Sequence, residues 1–554
     1  MEASPVHIIQ YFNGTKQGII PLFQRPYSWE EKDWKTLWTD LMAQYEKETR
    51  GSHFMGAVVS VPVNSVPVGV TKHLVIDGQQ RLTTLSILLS AIRKLSIDSE
   101  DLTTSGIIED FLINRHYPSP DNLKVVPTQV DREAYKALVY LEELENHTES
   151  RIVTAYNFFL KKLSGNDDDG EPISPLTVLE TIQQSLQVVM INLGKDDDPY
   201  LIFESLNHKG KPLSQSDLVR NYVLMRFQHS DSTGGQQETI YNNLWRPMED
   251  ALKDNMSEFL RHYGMRKGHN VRKGDIYTAS KNEFEKLPES IEVEKQLAEM
   301  KLAALIYSKF IDPSIEGNSR ISRRLKAFQE LDSTVFYPLI LRIYRLWQNE
   351  KINTSELIDC LDILESFYVR RMSCAVPTNA LNKITLELCA HVPEENPNEW
   401  LREKLSNGSS GRRWPKDDEF REALIQQSIY PRRRLTRFML ISLEESYDHN
   451  EPVDVSKSTI EHVMPQTLSE KWIEALGENY SEIHSRWLNT LGNLTLSGYN
   501  SSLSNEPFRV KKEKLSISHF EITRDILEEQ DWGSNQIRER GAKLADRALS
   551  QWER

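Results

Sequence analysis

Apolar residues recur at helical spacing along much of the chain. In residues 302–310, 336–347 and 357–368 they repeat every three or four positions, the pattern of a helix with one buried face. Short apolar runs next to turn residues predict strands at 53–61 and 74–76. The pattern therefore predicts an α+β protein that is mostly helical.

The second predicted strand leads into a turn and then a helix. Asp77 and Gly78 form the turn, and Leu82 and Leu85 mark the buried side of the helix. Glycine lets the backbone approach a ligand closely, and a helix N-terminus attracts anions. Arg81 stands in the first turn, where a cation is unfavourable to the helix dipole. We therefore expect Arg81 to face a phosphate or a carboxylate.

A second stretch with candidate chemistry begins at residue 459. A predicted strand presents the carboxylate of Glu461 beside the imidazole of His462, and Pro465 then forces a turn. Downstream, Asn493 projects from an otherwise apolar strand, and Asn500 follows it. Two hard oxygen ligands, an imidazole and an amide thus occur in one region.

These residue types suit metal-assisted cleavage of a phosphodiester. Glu461 and Asn500 offer oxygen ligands for one Mg²⁺-like ion. A neutral His462 would take a proton from water. Asn493 would accept a hydrogen bond from the imidazole and fix its tautomer, as an orienting residue does for a catalytic base.

The chain has 554 residues, a length that suggests about three domains, and a net charge of −14. This charge argues against a protein that coats nucleic acid through bulk charge, but it allows a nuclease with local basic groups. The basic clusters are candidates for phosphate contacts, and they include Arg432, Arg433, Lys511 and Lys512.

Other features bear on where the protein works. No apolar run approaches the length of a membrane span, and the N-terminus lacks the pattern of a signal peptide. The three cysteines are too few and too scattered for a disulfide framework or a zinc site. We therefore expect a cytoplasmic protein that does not engage a membrane.

The two C-terminal stretches resemble a known nuclease motif. The family pattern has "E-H-x-x-P-Q", then "L-G-N-L-T-L", then "N-x-x-x-S-N-x-x-F-x-x-K-K", and the chain has all three. This resembles the HNH, or ββα-metal, nuclease domain of GmrSD-type type IV restriction enzymes. The resemblance implies that His462 is the general base, that Glu461 and Asn500 bind the metal, and that Asn493 orients. Asn505 competes with Asn500 as the last ligand.

The N-terminal half resembles the same family. The stretch "P-L-F-Q-R-P-Y-S-W" ending at Trp29, the motif D-G-Q-Q-R from Asp77, and a third stretch from Phe203 to Asn221 match its ParB/sulfiredoxin-like nucleotidase domain. There is no P-loop motif. The resemblance implies that Asp77 acts on a metal-bound nucleotide or water and that Arg81 acts on a phosphate. The other residues expected in this cleft are Gln24, Arg25, Gly78, Gln79, Gln80, Asn207 and Lys211.

The resemblance implies a nucleotidase and sensor domain at 1–227, a helical connector at 228–413 and an HNH nuclease domain at 414–554. It implies a modification-dependent DNA endonuclease in antiphage defence, regulated by hydrolysis of GTP or ATP and dependent on Mg²⁺ or Mn²⁺. The expected partners are DNA, in particular modified phage DNA, a nucleotide, and a second copy of the chain in a homodimer.

Two alternatives stay open at this point. Some relatives of this architecture cut DNA with hydroxymethylated or glucosylated cytosine, whereas others sense phosphorothioate DNA and are nickases that nucleotides stimulate. The chain could also be a nucleotide-regulated effector whose nuclease acts on unmodified DNA or on RNA. The presence of Glu461, His462, Asn493 and Asn500 argues against a decayed active site.

Overall fold

A computed structural model describes residues 2–21, 24–46, 51–62, 69–118, 122–193, 214–227, 236–447, 454–498 and 500–554. The chain divides into two compact units: residues 1–245 with 281–294 form the first, and residues 246–280 with 295–554 form the second. The predicted α+β, mostly helical architecture is confirmed. The three-part division with boundaries after 227 and 413 stays a prediction.

A six-stranded mixed sheet lies at the centre of the first unit. Its strands in sheet order are β1 (Glu2–His7), β6 (Leu186–Asn192), β3 (His53–Pro62), β4 (Thr71–Asp77), β2 (Lys16–Ile19) and β5 (Val125–Val126). The pairs β1–β6 and β3–β4 are antiparallel, and the other three are parallel. The two predicted strands are confirmed as β3 and β4, and Asp77 lies opposite Val59 at the end of their pairing.

The helices of the first unit pack against this sheet and against one another. They are α1 (Glu31–Tyr45), α2 (Gln79–Asp98), α3 (Leu102–Leu112), α4 (Gln129–Tyr140), α5 (Arg151–Leu163), α6 (Pro175–Ser185), α7 (Gln215–Met225) and α8 (Gln236–Ile240), which a π-helical turn continues to Trp245. Helix α2 is buried on nearly all sides, including the predicted Leu82 and Leu85. Its buried hydroxyls at Thr84 and Ser86 donate to carbonyls four residues earlier, so burial leaves them satisfied.

The long middle segment is helical, as predicted. Its helices are α9 (Arg246–Leu252), α10 (Met256–Met265), α11 (Ile276–Phe284), α12 (Ser290–Ile311), α13 (Ser319–Glu330), α14 (Tyr337–Gln348), α15 (Thr354–Ser373), α16 (Leu381–His391), α17 (Pro397–Ser406), α18 (Asp417–Gln426) and α19 (Arg433–Glu445). None of the helices in the described part of the chain is long and apolar enough to cross a membrane.

The C-terminal part contains a short antiparallel hairpin surrounded by helices. The hairpin strands are β7 (Thr459–His462) and β8 (Leu494–Ser497). The helices are α20 (Glu470–Leu476), α21 (Tyr480–Trp487), α22 (Asn500–Leu503), α23 (Phe508–Leu515), α24 (Glu521–Leu527) and α25 (Ser534–Gln551). Leu494 and Leu496 of β8 pack into a core with α18, α19 and α25, which fixes the hairpin in the second unit.

Candidate active site

Strand β7 ends with a carboxylate and an imidazole side by side. Glu461 and His462 pair with Thr495 and Leu494 of β8, so both belong to the hairpin and not to a free loop. They are largely buried, with 8% and 6% of their surface exposed. The hairpin therefore holds the two predicted catalytic groups in a site with little water.

The imidazole of His462 lies between an amide and an aromatic ring. Its Nε2 is 3.2 Å from Oδ1 of Asn489, and the Tyr430 ring packs edge-to-face on it with centroids 4.3 Å apart. Because an amide oxygen only accepts, Nε2 carries the hydrogen in this arrangement and Nδ1 keeps its lone pair. Burial lowers the pKa of His462 to about 4, against the hydrogen bond with Asn489, which raises it. The ring is thus neutral at physiological pH.

Asn493 has a different position from the predicted one. Contrary to the prediction, Asn489 and not Asn493 contacts the imidazole. The Asn493 amide donates to the carbonyls of Met464 and Leu488, and its oxygen accepts from the Met464 N–H and the Trp532 indole N–H, all at 2.8–3.0 Å. The amide thus makes all four of the hydrogen bonds that it can make. Asn493 therefore joins the turn after β7 to the turn before β8, and it supports the site without contacting the imidazole.

The carboxylate of Glu461 has a buried ammonium partner. Nζ of Lys511 lies 2.6 Å from Oε1 of Glu461 and 2.7 Å from the carbonyl oxygen of His462. The Lys511 side chain is fully buried. Burial raises the pKa of Glu461 and lowers that of Lys511, and the attraction between their charges opposes both shifts. Lys511 is therefore a partner of Glu461 and does not reach a phosphate, contrary to the prediction.

The predicted metal ligands are only partly within the described structure. Lys511 donates to Oε1 of Glu461, and the backbone N–H of His462 also hydrogen-bonds to this carboxylate. Asn505 is exposed beyond α22. The backbone of Asn500 begins α22, but its side chain lies outside the described residues. Among the described side chains, no three His, Cys, Asp or Glu residues form a metal site.

The other predicted basic contacts have different surroundings. Arg433 is exposed, and its guanidinium lies over the Tyr430 ring at 5.2 Å, on the residue that packs against the imidazole of His462. Arg432 precedes it as the residue that caps α19. Lys512 donates to the carbonyl of Glu529 at 2.6 Å. Of these cations, Arg433 is the one that the structure places beside the imidazole.

Helix α25 supports the hairpin from the other side. A Cβ atom on Gly492 would lie 1.9 Å from the Ile537 carbonyl oxygen and 2.9 Å from the Gly541 nitrogen, so only glycine allows this approach. The buried Arg540 donates to the carbonyls of Gly492 and Leu494 at 2.7 and 2.8 Å. The glycine of the "L-G-N-L-T-L" stretch is therefore required by close packing next to the site.

The first unit contains the second candidate site, at the junction of β4 and α2. Gly78 has φ +92°, and its N–H donates to Oδ1 of Asp77 at 2.7 Å. Arg81 donates to the carbonyls of Ala57 and Met55 at 2.5 and 3.3 Å, and its Nη2 lies 3.8 Å from Oδ2 of Asp77. Of the two expected partners of Arg81, the structure contains the carboxylate. Strand β3 therefore holds the Arg81 guanidinium in place.

The glutamines of the two N-terminal motifs join those motifs together. Gln24 donates to the Ile76 carbonyl at 2.9 Å. Gln79 donates to the Arg25 carbonyl at 3.4 Å, and the Gln80 oxygen accepts from the Ser28 N–H at 2.8 Å. All three side chains are buried. These contacts explain why the two motifs occur together: one positions the backbone of the other.

Arg25 is half-buried, and three carboxylates of this region act on its charge. Burial lowers its pKa, while the nearby carboxylates of Asp217, Asp33 and Asp77 raise it. Asp217 belongs to the third N-terminal stretch, as the third residue of α7. The structure thus brings the three motifs into one neighbourhood. The predicted Asn207 and Lys211 lie outside the described residues.

Two family models together match more than half of the chain. The GmrSD restriction endonuclease N-terminal domain matches residues 8–224, and the GmrSD restriction endonuclease C-terminal domain matches residues 414–547. The chain belongs to the GmrSD restriction endonucleases. This GmrSD protein is therefore a type IV restriction endonuclease, a hydrolase whose partner is DNA. No curated protein matches the chain.

The GmrSD matches contain both candidate sites, but two residues in them were not predicted. Asn489, four residues before Asn493, contacts the imidazole of His462. Its only signal in the sequence is that it is a polar residue in the run W-L-N-T-L. Gly56 has φ +104°, and a Cβ atom there would lie 2.6 Å from Nη1 of Arg81. A glycine inside an otherwise apolar strand was the available signal for this close approach.

Proposed function

We propose that this GmrSD protein cuts modified DNA in antiphage defence, by a one-metal HNH mechanism that nucleotide hydrolysis regulates. One observation carries the proposal. A buried carboxylate and a buried neutral imidazole occupy consecutive positions at the end of β7, and Asn493 holds the following turn against the partner strand. A carboxylate for a cation and a neutral base for water are the two groups that hydrolysis of a phosphodiester needs.

The described donors suit Mg²⁺ or Mn²⁺, since both ions prefer oxygen ligands. Glu461 would contribute Oε2, the oxygen that does not accept from Lys511. Asn500 or Asn505 would supply an amide oxygen. When bound, the ion would stabilise the negative charge that develops on the phosphate.

His462 would remove the proton from the attacking water. Its low pKa keeps the ring neutral, and the hydrogen bond from Nε2 to Asn489 leaves the Nδ1 lone pair as the acceptor. Asn489 thereby acts as the positioning residue that was first assigned to Asn493. Arg433, exposed beside the Tyr430 ring, would hold a phosphate near the imidazole.

The nuclease proposal is tested on supercoiled DNA with Mg²⁺ or Mn²⁺. His462→Ala removes the base, so the cleavage rate should fall roughly 10²- to 10⁴-fold. His519→Ala, which changes an exposed histidine in the same unit, should cleave at the wild-type rate. A His462→Ala protein that cleaves like the wild type would remove this residue from the mechanism.

A nucleotide site at the start of α2 is the second part of the proposal. The first N–H groups of α2 have no partner within the helix and would donate to a phosphate, while Gly78, with φ +92°, packs against Ala57 and Val58 of β3. Asp77 would act on a metal-bound nucleotide or on water. We assign the phosphate to Arg25, because Arg81 is occupied by the carbonyls of β3.

Hydrolysis of GTP and ATP by purified protein tests this site. Asp77→Asn and Arg25→Gln should each abolish phosphate release. Arg115→Gln, which changes a half-exposed arginine in the same unit, should leave it unchanged. Phosphate release that persists in both site variants would mean that the nucleotide is hydrolysed elsewhere or by a contaminant.

The product of cleavage distinguishes the alternatives. One HNH site cuts one strand at a time, so a double-strand break requires a homodimer or two successive nicks. A phosphorothioate-sensing nickase would produce open-circle DNA only. An effector that acts on unmodified DNA or on RNA would cut those substrates without a modification.

A further inference from the structure

A pocket of about 400 Å³ lies between helices α16 and α17 in the second unit. Its floor consists of the buried side chains of Ile384, Leu388 and Leu405. Trp400, half-buried, stands in its wall. An aliphatic floor beside an indole ring suits a flat aromatic ligand.

Charged and polar groups line the same pocket. Nζ of Lys404 lies 5.9 Å from the centre of the Trp400 ring, and Nη2 of Arg412 lies 2.5 Å from Oε2 of Glu387. His391 donates from Nδ1 to the Glu387 carbonyl at 2.9 Å, which leaves Nε2 as an acceptor. The lining thus has two cations and one carboxylate, in a chain whose net charge is −14.

A buried arginine holds the turn at residues 408–413, which closes the pocket. The buried Arg371 donates to the carbonyls of Gly411 and Arg413 at 2.9 and 2.8 Å. A Cβ atom on Gly408 would lie 2.5 Å from the Arg412 carbonyl oxygen, so the turn folds tightly back on itself. The wall that carries Arg412 is therefore preorganised, which lowers the entropy cost of binding.

The opposite side of α17 provides a contrast. A second pocket of about 400 Å³ there is lined by Asp359, Glu399, Glu403 and Arg402, so carboxylates outnumber cations. It has no aromatic lining residue. Of these two pockets, the one with Trp400 combines a stacking surface with an excess of cations over carboxylates.

We propose that the pocket with Trp400 binds an unstacked nucleobase together with its phosphate, taken from a DNA strand. The indole would stack on the base, and Lys404 and Arg412 would hold the phosphate. Glu387, whose Oε2 pairs with Arg412, would accept through its other carboxylate oxygen from an exocyclic amine, which cytosine, adenine and guanine have and thymine lacks. The inference rests on the proposed DNA-cleaving function and adds a site where the enzyme reads a base.

The test measures binding of labelled single-stranded oligo-dC and oligo-dT to the full chain by fluorescence anisotropy, with EDTA to prevent cleavage. Trp400→Ala should weaken binding of oligo-dC roughly 5- to 100-fold, the range of base–aromatic stacking. Trp400→Phe should weaken it less. Glu387→Gln should reduce the preference for dC over dT, and circular dichroism would verify that each variant folds.

A matched pair of variants on α17 distinguishes DNA binding in the pocket from a general effect of positive charge on DNA binding. Lys404→Gln should weaken binding and reduce the salt slope by about one, whereas Arg402→Gln removes the same charge on the other side and should change neither. Equal losses in both would overturn the proposal, and so would wild-type binding by Trp400→Ala.

Free CTP distinguishes the two possible sources of the base. If CTP displaces oligo-dC as effectively as unlabelled oligo-dC does, the site takes a free nucleotide and the proposal of a DNA base fails. If the variants bind DNA as expected but the wild type cleaves no DNA in the presence of metal, the result supports the base-binding pocket and contradicts the proposed cleavage.

Discussion

Replacing Lys511 by methionine removes the buried ammonium and keeps the length of the side chain. In the folded protein, Nζ of Lys511 lies 2.6 Å from Oε1 of Glu461 and 2.7 Å from the His462 carbonyl oxygen. The Lys511 side chain is fully buried, and that of Glu461 is 10% exposed. The substitution therefore leaves a carboxylate in the protein interior without its charge partner.

The expected loss of stability follows from this burial. Removing one partner of a buried ion pair costs about 3–5 kcal/mol, because the remaining charge is uncompensated. Glu461 can relieve part of this cost by binding a proton, since burial already raises its pKa. We therefore expect a loss near the lower end, about 3 kcal/mol. Lys514 on the same helix is partly exposed and 3.5 Å from Glu506, so Lys514→Met should cost less than about 1 kcal/mol.

Urea unfolding, followed by tryptophan fluorescence and circular dichroism, measures these losses. The double variant Lys511→Met/Glu461→Gln should be more stable than the sum of the single losses predicts, because it buries no charge. If Lys511→Met costs no more than Lys514→Met, or if the two single losses simply add, the buried pair has no structural role.

Three further predictions concern the residues around the pair. Burial lowers the pKa of His462 from 6.5 to about 4, so the folded state loses stability as the pH falls through this window. Urea unfolding at pH 7 and at pH 5 measures the stability lost between the two pH values. This loss should be about 2 kcal/mol smaller in His462→Gln than in the wild type. Asn489→Ala should reduce the cleavage rate roughly 10-fold or more, and Asn489→Asp should shift the acid limb of the pH–rate profile upward, because a carboxylate stabilises the imidazolium. Gly492→Ala places a methyl group 1.9 Å from the Ile537 carbonyl oxygen, so thermal unfolding should show a loss of stability of at least about 1–3 kcal/mol. Gly317→Ala, with no described atom within 4 Å of the added methyl group, should leave the stability nearly unchanged.

Local patterns in the sequence were sufficient to predict the elements that carry both sites. Strand, turn and helix around Asp77 follow from an apolar run, a glycine and a helical repeat, all within about 20 residues of one another. The order Glu461–His462 likewise places both residues at the end of one strand. These features depend on neighbours in the chain, so a linear pattern contains them.

The roles of the two asparagines could not be predicted in the same way. The four partners of the Asn493 amide come from Met464, Leu488 and Trp532, the last of them in a loop before α25. Which of two nearby amides faces the imidazole depends on how this loop and α25 pack against the hairpin. Packing of distant segments leaves no trace in local spacing, so Asn489 was missed.

The position of Lys511 did have a signal in the sequence. In α23, Phe508, Lys511 and Leu515 stand at i, i+3 and i+7, so they share one face of the helix. All three are buried. A lysine between two apolar residues on one face predicts a buried partner, whereas the neighbouring lysines of the run point elsewhere. The run of three lysines concealed this pattern.

The most direct test of the account is cleavage of matched phage DNAs by purified protein with Mg²⁺ or Mn²⁺ and nucleotide. One DNA would be unmodified, and the others hydroxymethylated, glucosylated or phosphorothioated, with His462→Ala protein assayed in parallel. We expect cleavage of modified DNA only, and loss of that cleavage in the variant. Equal cleavage of all four DNAs, or cleavage of RNA alone, would contradict it.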